Sequence, residues 1–135
     1  TMRGHSDDVQ SVTLERSKGR TAVSCSDDGT ARIWDIERAQ LAKDPPGHTN
    51  PSSPITAAVW CLRENAKVIV SSDSDGGVRC FKDDGQSCIW KIKLQSSDPE
   101  NKQAVTSLCG NAKVDKVVCG MYQRLHVIET KQGKT

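Results

Sequence analysis

The chain has 135 residues, 35% hydrophobic and 27% charged, and its 19 basic and 17 acidic side chains leave a net charge of +2. That length suits one domain with a core of its own, and the near-neutral balance makes no demand for nucleic acid or a membrane as partner. No apolar run approaches the roughly 20 residues of a membrane span, and no charged-then-apolar signal segment opens the chain, so an intracellular protein, cytoplasmic or nuclear, is expected.

In chain order, Val9, Val12 and Leu14 form an alternating run, followed by "AVSCSD", an Asp28-Gly29 turn, "TARIWD" and a short strand over 39–43. The pattern then repeats. Ile55, Ala58 and Trp60 keep the +3, +2 spacing, "VIVSSDS" leads to Asp75-Gly76, and "GVRCFK" and "SCIWKIKL" (87–94) follow. The two Asp-Gly turns are 47 residues apart, and "MYQR" falls another 47 on, between "KVVCG" and "LHVIE", after an alternating segment over 105–110. Period-two patterning bounded by polar loops predicts short antiparallel strands. No segment reads as an amphipathic helix. Asp-Gly between strands predicts two-residue hairpin turns with positive φ at both central positions. Each unit is thus a four-stranded meander of about 45 residues that cannot bury both faces alone, and radial stacking of such units gives a β-propeller.

Six cysteines occur, Cys25, Cys61, Cys80, Cys88, Cys109 and Cys119. An even count suits disulfides in a secreted chain. The lack of C-x-x-C spacing, and contexts such as "AVSCS" and "KVVCGM", favour reduced thiols that pack as small hydrophobes.

"GH…SCSDDGTARIWD" resembles the WD-repeat β-propeller family. Gly4-His5 stands 23 residues before Asp28 when counted from the histidine, Ser24 four before it, and Trp34 six after it. The resemblance implies a hydrogen-bonded network of His5, Ser24, Asp28 and Trp34 that pins one blade. In the second unit Ser71 and Asp75 hold the matching places, but Phe81 and Lys82 replace Trp-Asp, and His48 lies 27 residues before Asp75 with "NPSSP" (50–54) as the extra length. The third unit has Ile128-Glu129 where Trp-Asp would be. The expected organisation is a partial propeller of about three blades, 4–46, 47–95 and an incomplete 96–135. Closed propellers have 4–8 blades, so a fragment is expected, completed by blades of the same or a partner chain.

Asp28 suits three roles: catalytic carboxylate, metal ligand or structural peg. Its strand–turn–strand setting favours the peg over an Asp28–His5 catalytic dyad. The C-terminal "IETKQGKT" has Ile128 where a phosphate loop needs glycine, and "SSDSDGG" ends its would-be calcium loop on Lys82 rather than glutamate. No catalytic set, metal site or cofactor is therefore expected.

In the family's layout one rim holds Asp7, Asp8, Asp27, Asp73, Asp75, Asp98 and Glu100. The opposite rim holds Arg16, Lys18, Arg20, Arg63, Lys67, Lys113 and Lys116, with Arg38, Lys82 and Lys131. An acidic top and a basic bottom follow as candidate partner surfaces. The function expected from the resemblance is a non-catalytic protein-interaction scaffold within a multiprotein complex. The alternative is a platform whose basic bottom loops bind an anionic partner, a phosphoprotein, nucleic acid or anionic lipid.

Overall fold

A computed structural model of the chain describes residues 1–16, 19–43, 53–83, 87–95, 100, 104–110 and 115–133. The described residues are all-β. β1 (Val9–Leu14), β2 (Thr21–Ser26), β3 (Ala31–Asp35) and β4 (Gln40–Lys43) form one sheet in sequence order. β5 (Ile55–Arg63), β6 (Ala66–Asp73), β7 (Gly77–Lys82) and β8 (Cys88–Lys93) form the second, and β9 (Val105–Gly110), β10 (Lys116–Met121) and β11 (Arg124–Glu129) the third. All pairings are antiparallel between sequence neighbours. The first strands of the sheets, β1, β5 and β9, contact one another in turn. These are propeller-blade meanders stacked face to face.

The +3, +2 spacing has a structural cause. Val9 pairs with Ser26 but Ser11 with Cys25, which leaves Gln10 as an extra residue. Thr56 is extra in the same way between Ile55 and Ala57, and Thr106 between Val105 and Ser107. A bulge of one residue resets which face the following side chains meet. The first apolar residue therefore stays in phase with those beyond the bulge. Ile55 is fully buried by the first sheet and Val105 by the second. Val9 holds the same place with no described sheet before it, and it is 51% exposed.

Two cores result. Val23, Cys25, Ala31 and Ile33 meet Ile55, Ala58 and Ile69 between the first and second sheets. Val68, Val70, Val78 and Cys80 meet Val105, Val117, Cys119, Met121 and Ile128 between the second and third. The sheet edges are tied as well: Thr130 donates to the Leu62 carbonyl (2.7 Å), and Trp90 Nε1–H to the Thr130 carbonyl (2.7 Å).

The Asp-Gly turns differ from expectation. Only the glycines are left-handed, Gly29 at φ 80° and Gly76 at φ 85°; neither Asp28 nor Asp75 has positive φ. Gly29 N–H donates to the Ser26 carbonyl (3.2 Å) and Ser26 N–H to the Thr30 carbonyl (3.1 Å), which closes a longer loop. This loop lets the Asp28 carboxylate fold back onto Thr30 N–H at 2.8 Å, a local bond that Asp favours in turns. The two-residue turn with both φ positive lies instead at Glu64 (50°) and Asn65 (66°), between the paired Arg63 and Ala66. "MYQR" is also a two-residue turn, with Tyr122 at φ 47°.

All six cysteines are free thiols. Cys25, Cys61, Cys80 and Cys119 are buried, and Cys88 and Cys109 are exposed. Burial pushes Cys61, Cys80 and Cys119 up to about 12, and it also raises Cys25. Since the thiolate is the reactive form, a thiol reagent on the native protein should label Cys88 and Cys109 first and the other four only on unfolding. Mass spectrometry of the labelled peptides checks this, and early labelling of Cys61 or Cys119 would contradict it.

Replacing Ile55 with Ala in the full-length protein should cost about 2–5 kcal/mol, because a fully packed side chain is removed. Replacing the exposed Lys82 with Ala should stay within about 0.5 kcal/mol. Denaturant unfolding of the two variants gives the comparison, and equal losses would contradict this packing.

Candidate functional site

The polar centre of the first sheet is built from the segment before β1, from β2, from the β2–β3 loop and from β3. Trp34 Nε1–H donates to Ser24 Oγ at 2.7 Å. Ser24 Oγ lies 2.6 Å from His5 Nε2, and His5 Nδ1 lies 2.8 Å from Asp28 Oδ2. An indole N–H only donates, and an ionised carboxylate only accepts. With neutral histidine, the Ser24 hydroxyl therefore donates to Nε2, and Nδ1–H donates to Asp28. The chain runs Trp34 to Ser24 to His5 to Asp28, with a partner for every member.

Asp28 is further held by Ser6 N–H (3.1 Å), by Thr30 N–H (2.8 Å) and by the Thr30 hydroxyl (2.6 Å). Burial works to raise its pKa, but the hydrogen bonds from Thr30, His5 and Ser6 prevail and hold it well below the usual carboxylate range. Sequence reasoning missed Thr30. Its signal was available, because a hydroxyl two residues after a turn aspartate sits where that carboxylate folds back.

Ser24, His5 and Asp28 share the connectivity of a hydrolase triad. Ser24 is 3% exposed, and its oxygen already accepts the indole proton of Trp34. A nucleophile needs that oxygen free to reach substrate. The geometry suits a peg that ties the segment before β1 to the β2–β3 hairpin.

The second sheet differs. Ser71 is fully buried, and Asp75 accepts a short hydrogen bond from the Ser53 hydroxyl. His48 lies outside the described residues. Asp73, expected at the acidic rim, is 5% exposed and turned inward. Its Oδ1 accepts from Asp75 N–H (2.9 Å) and Gly77 N–H (2.8 Å), so turn closure takes it off the surface.

At the rim of the first sheet, Asp7, Asp8 and Asp27 bring carboxylate oxygens within 4.8 Å of one another. Asp27 N–H donates to the Asp8 carbonyl (3.0 Å), and Ser26 Oγ to the Asp7 carbonyl (3.2 Å), so two loops are locked together there. Glu100 is exposed and Asp98 lies outside the described residues.

Five cations of the expected basic rim are paired with carboxylates. Lys67 pairs with the buried Glu15 (3.1 Å), Arg20 with Glu37 (3.2 Å), Lys131 with Asp115 (3.5 Å), Arg63 with Glu64 (3.8 Å) and Arg38 with Asp35 (3.9 Å). Arg16, Lys82 and Lys116 are exposed, while Lys18 and Lys113 lie outside the described residues.

Comparison with known proteins agrees with this architecture. Residues 1–35 match the family model described as WD domain, G-beta repeat. The chain is 30% identical over 116 residues to the mouse (Mus musculus) nucleoporin Nup37, covering 86% of this chain and 33% of that protein. It is 31% identical over 93 residues to Regulator of rDNA transcription protein 13 of Saccharomyces cerevisiae, covering 59% of this chain and 50% of that protein. A stretch of 47 residues, 35% of this chain and 7% of that protein, is 43% identical to the probable E3 ubiquitin ligase complex SCF subunit sconB of Talaromyces stipitatus. The chain thus spans a third to a half of the length of the first two relatives. With the repeat match and the stacked meanders together, the chain is a WD-repeat propeller segment.

Because Asp28 is held below its unfolded value of about 3.9, the unfolded chain binds the extra proton as pH falls. Asp28 therefore contributes stability above about pH 4 that is lost below it. Unfolding followed from pH 7 down to pH 2 should show a steeper loss for the native protein than for Asp28→Asn, and equal slopes would remove Asp28 from this role.

Proposed function

We propose that this chain is a non-catalytic protein-interaction scaffold, a propeller segment that takes part in assembling a multiprotein complex. The observation that carries the reading is the locked acidic rim. Asp7, Asp8 and Asp27 come from two loops but converge on one edge, held by backbone hydrogen bonds and by the His5–Asp28 peg beneath. A fixed patch of like charge on rigid loops is suited to a partner's basic side chains. His5, Ser24, Asp28 and Trp34 serve as its structural support, and Ser71 and Asp75 do so in the second blade. The blades run 4–46, 47–95 and an incomplete 96–135.

Apolar faces add to this reading. Val12 is 62% exposed and Leu14 55% on the first sheet; Leu125 is 76% and Val127 48% on the third. Large apolar side chains aligned on a sheet face call for cover, from further blades of the same chain or from a partner. Among the relatives, one is named a nucleoporin and another an SCF ligase complex subunit, which supports membership of an intracellular complex, cytoplasmic or nuclear. No helix among the described residues is long and apolar enough to cross a membrane. The reading through basic bottom loops has less support, because Arg20, Arg63 and Lys67 already hold carboxylates.

Asp7→Lys combined with Asp8→Lys in the full-length protein should abolish co-purification of at least one native partner while circular dichroism stays unchanged. Retention of every partner by the folded variant would refute the acidic rim as the contact surface.

A further inference from the structure

β8 is the outer edge of the second sheet, which is stacked on both faces, and among the described residues no strand pairs with its far side. Leu94 N–H donates to the Gly76 carbonyl (2.9 Å). That bond flanks the Gly77–Lys93 pair, so the backbone groups of those two residues are not bonded to each other. Antiparallel pairs alternate between the bonded and the unbonded kind. The register runs without a shift through Gly77–Lys93, Val78–Ile92, Arg79–Lys91 and Cys80–Trp90. The backbone groups of Trp90 and Ile92 therefore face β7, and the N–H and C=O of Lys91 and Lys93 face outward. Such an edge is a template for another strand. Blades join through their faces, so further blades on the first and third sheets leave this edge open.

The side chains along the edge select the strand that fits it. Lys91 and Lys93 share one sheet face, and Trp90 and Ile92 share the other. Both lysines are exposed, and neither is held in an ion pair among the described residues. Trp90 and Ile92 are half-buried against the core between the second and third sheets. Asp73 belongs to β6 and Asp75 to the β6–β7 turn, so β7 and β8 would separate both from an added strand, at about 4.8 Å per strand. Pairing of β8 with the β8 of a second copy would oppose lysine to lysine, which destabilises a sheet, whereas opposite charges across a pair stabilise it. We infer that the outer edge of β8 accepts an extended segment of a partner protein as a fifth strand, one whose residues alternate acidic and apolar. Its acids meet Lys91 and Lys93, its apolar residues lie beside Trp90 and Ile92, and its backbone bonds to the outward N–H and C=O groups.

Calorimetric titration of the full-length protein with an end-capped hexapeptide of alternating glutamate and valine tests the inference. Saturable binding is expected. Lys91→Pro removes an outward N–H and leaves the bonds to β7 in place, so it should weaken binding by about tenfold or more. A similar loss is expected when the peptide is methylated at its backbone nitrogens, a change that keeps its charge. Lys91→Glu with Lys93→Glu should move the preference to a hexapeptide of alternating lysine and valine. Both replaced lysines are exposed, so this double variant gives a result even if Lys91→Pro fails to fold. No saturable binding at millimolar peptide, or equal binding of the methylated peptide, would overturn the added strand. Dimerisation in analytical ultracentrifugation that Lys91→Pro abolishes would assign the edge to a second copy and overturn the acidic partner. The edge uses none of the acidic-rim residues, so its failure leaves the scaffold reading standing.

Discussion

Stacking of sheets that are apolar on both faces is the constraint on which the rest depends. β6 shows it most clearly: Ile69 points into the core shared with the first sheet, while Val68 and Val70 point into the core shared with the third. A strand buried on both sides cannot alternate apolar and polar, and its "KVIVSSD" reads as a continuous buried run from Val68 to Asp73. The second sheet is stable because it is the middle one. The outer faces of its neighbours repeat the same pattern without cover, so exposure of Val12 and Leu125 has one cause at opposite ends.

Stacking brings polar groups inward with the apolar ones, and each sheet deals with them in its own way. The first uses a linear relay in which Trp34, Ser24, His5 and Asp28 have one consistent donor order. A half-satisfied network of this kind would be worse than an apolar core. The second sheet has Phe81 where the indole would be, and the phenyl ring carries no N–H that needs a partner. Its turn is held instead by Asp73 on two backbone amides and by Ser53 on Asp75. Among the described residues the third has neither arrangement. Its "MYQR" turn is tight enough to close without an acidic side chain, and its lower edge is tied to the second sheet through Thr130 and Trp90.

Charge follows the same division of labour. In the loop after β1, Glu15 meets Lys67 of β6, and Arg20 meets Glu37 from the loop after β3. The exposed Arg20–Glu37 pair contributes little stability, but both pairs reduce the field that a basic rim would otherwise project. At the opposite rim of the first sheet, Asp7, Asp8 and Asp27 gather their carboxylates together instead. A chain of net charge +2 thus still presents a compact acidic patch on the first sheet.

Much of this was legible in the residues. Strand order and the repeat near 47 residues follow from local periodicity, because alternation reports which face a side chain must meet, whereas the +3, +2 spacing was visible but the bulge behind it appeared only in the strand pairing. The candidates His5, Ser24, Asp28 and Trp34 were legible through family resemblance, and their residue types fit one donor order. Other features required the tertiary structure. Whether an apolar position is covered depends on a neighbouring sheet, so Val9 and Ile55 look alike in sequence and differ completely in burial. Asp73 and Asp27 look alike as turn acids, yet one caps backbone amides and the other faces the rim. The turn type was also decided by long-range bonds, since Asp28 keeps negative φ while reaching both His5 and Thr30. Sequence by itself determined which strands form and how they repeat, because those depend on neighbours along the chain. Only the tertiary structure decided which faces, charges and hydroxyls remain available, because those depend on neighbours in space.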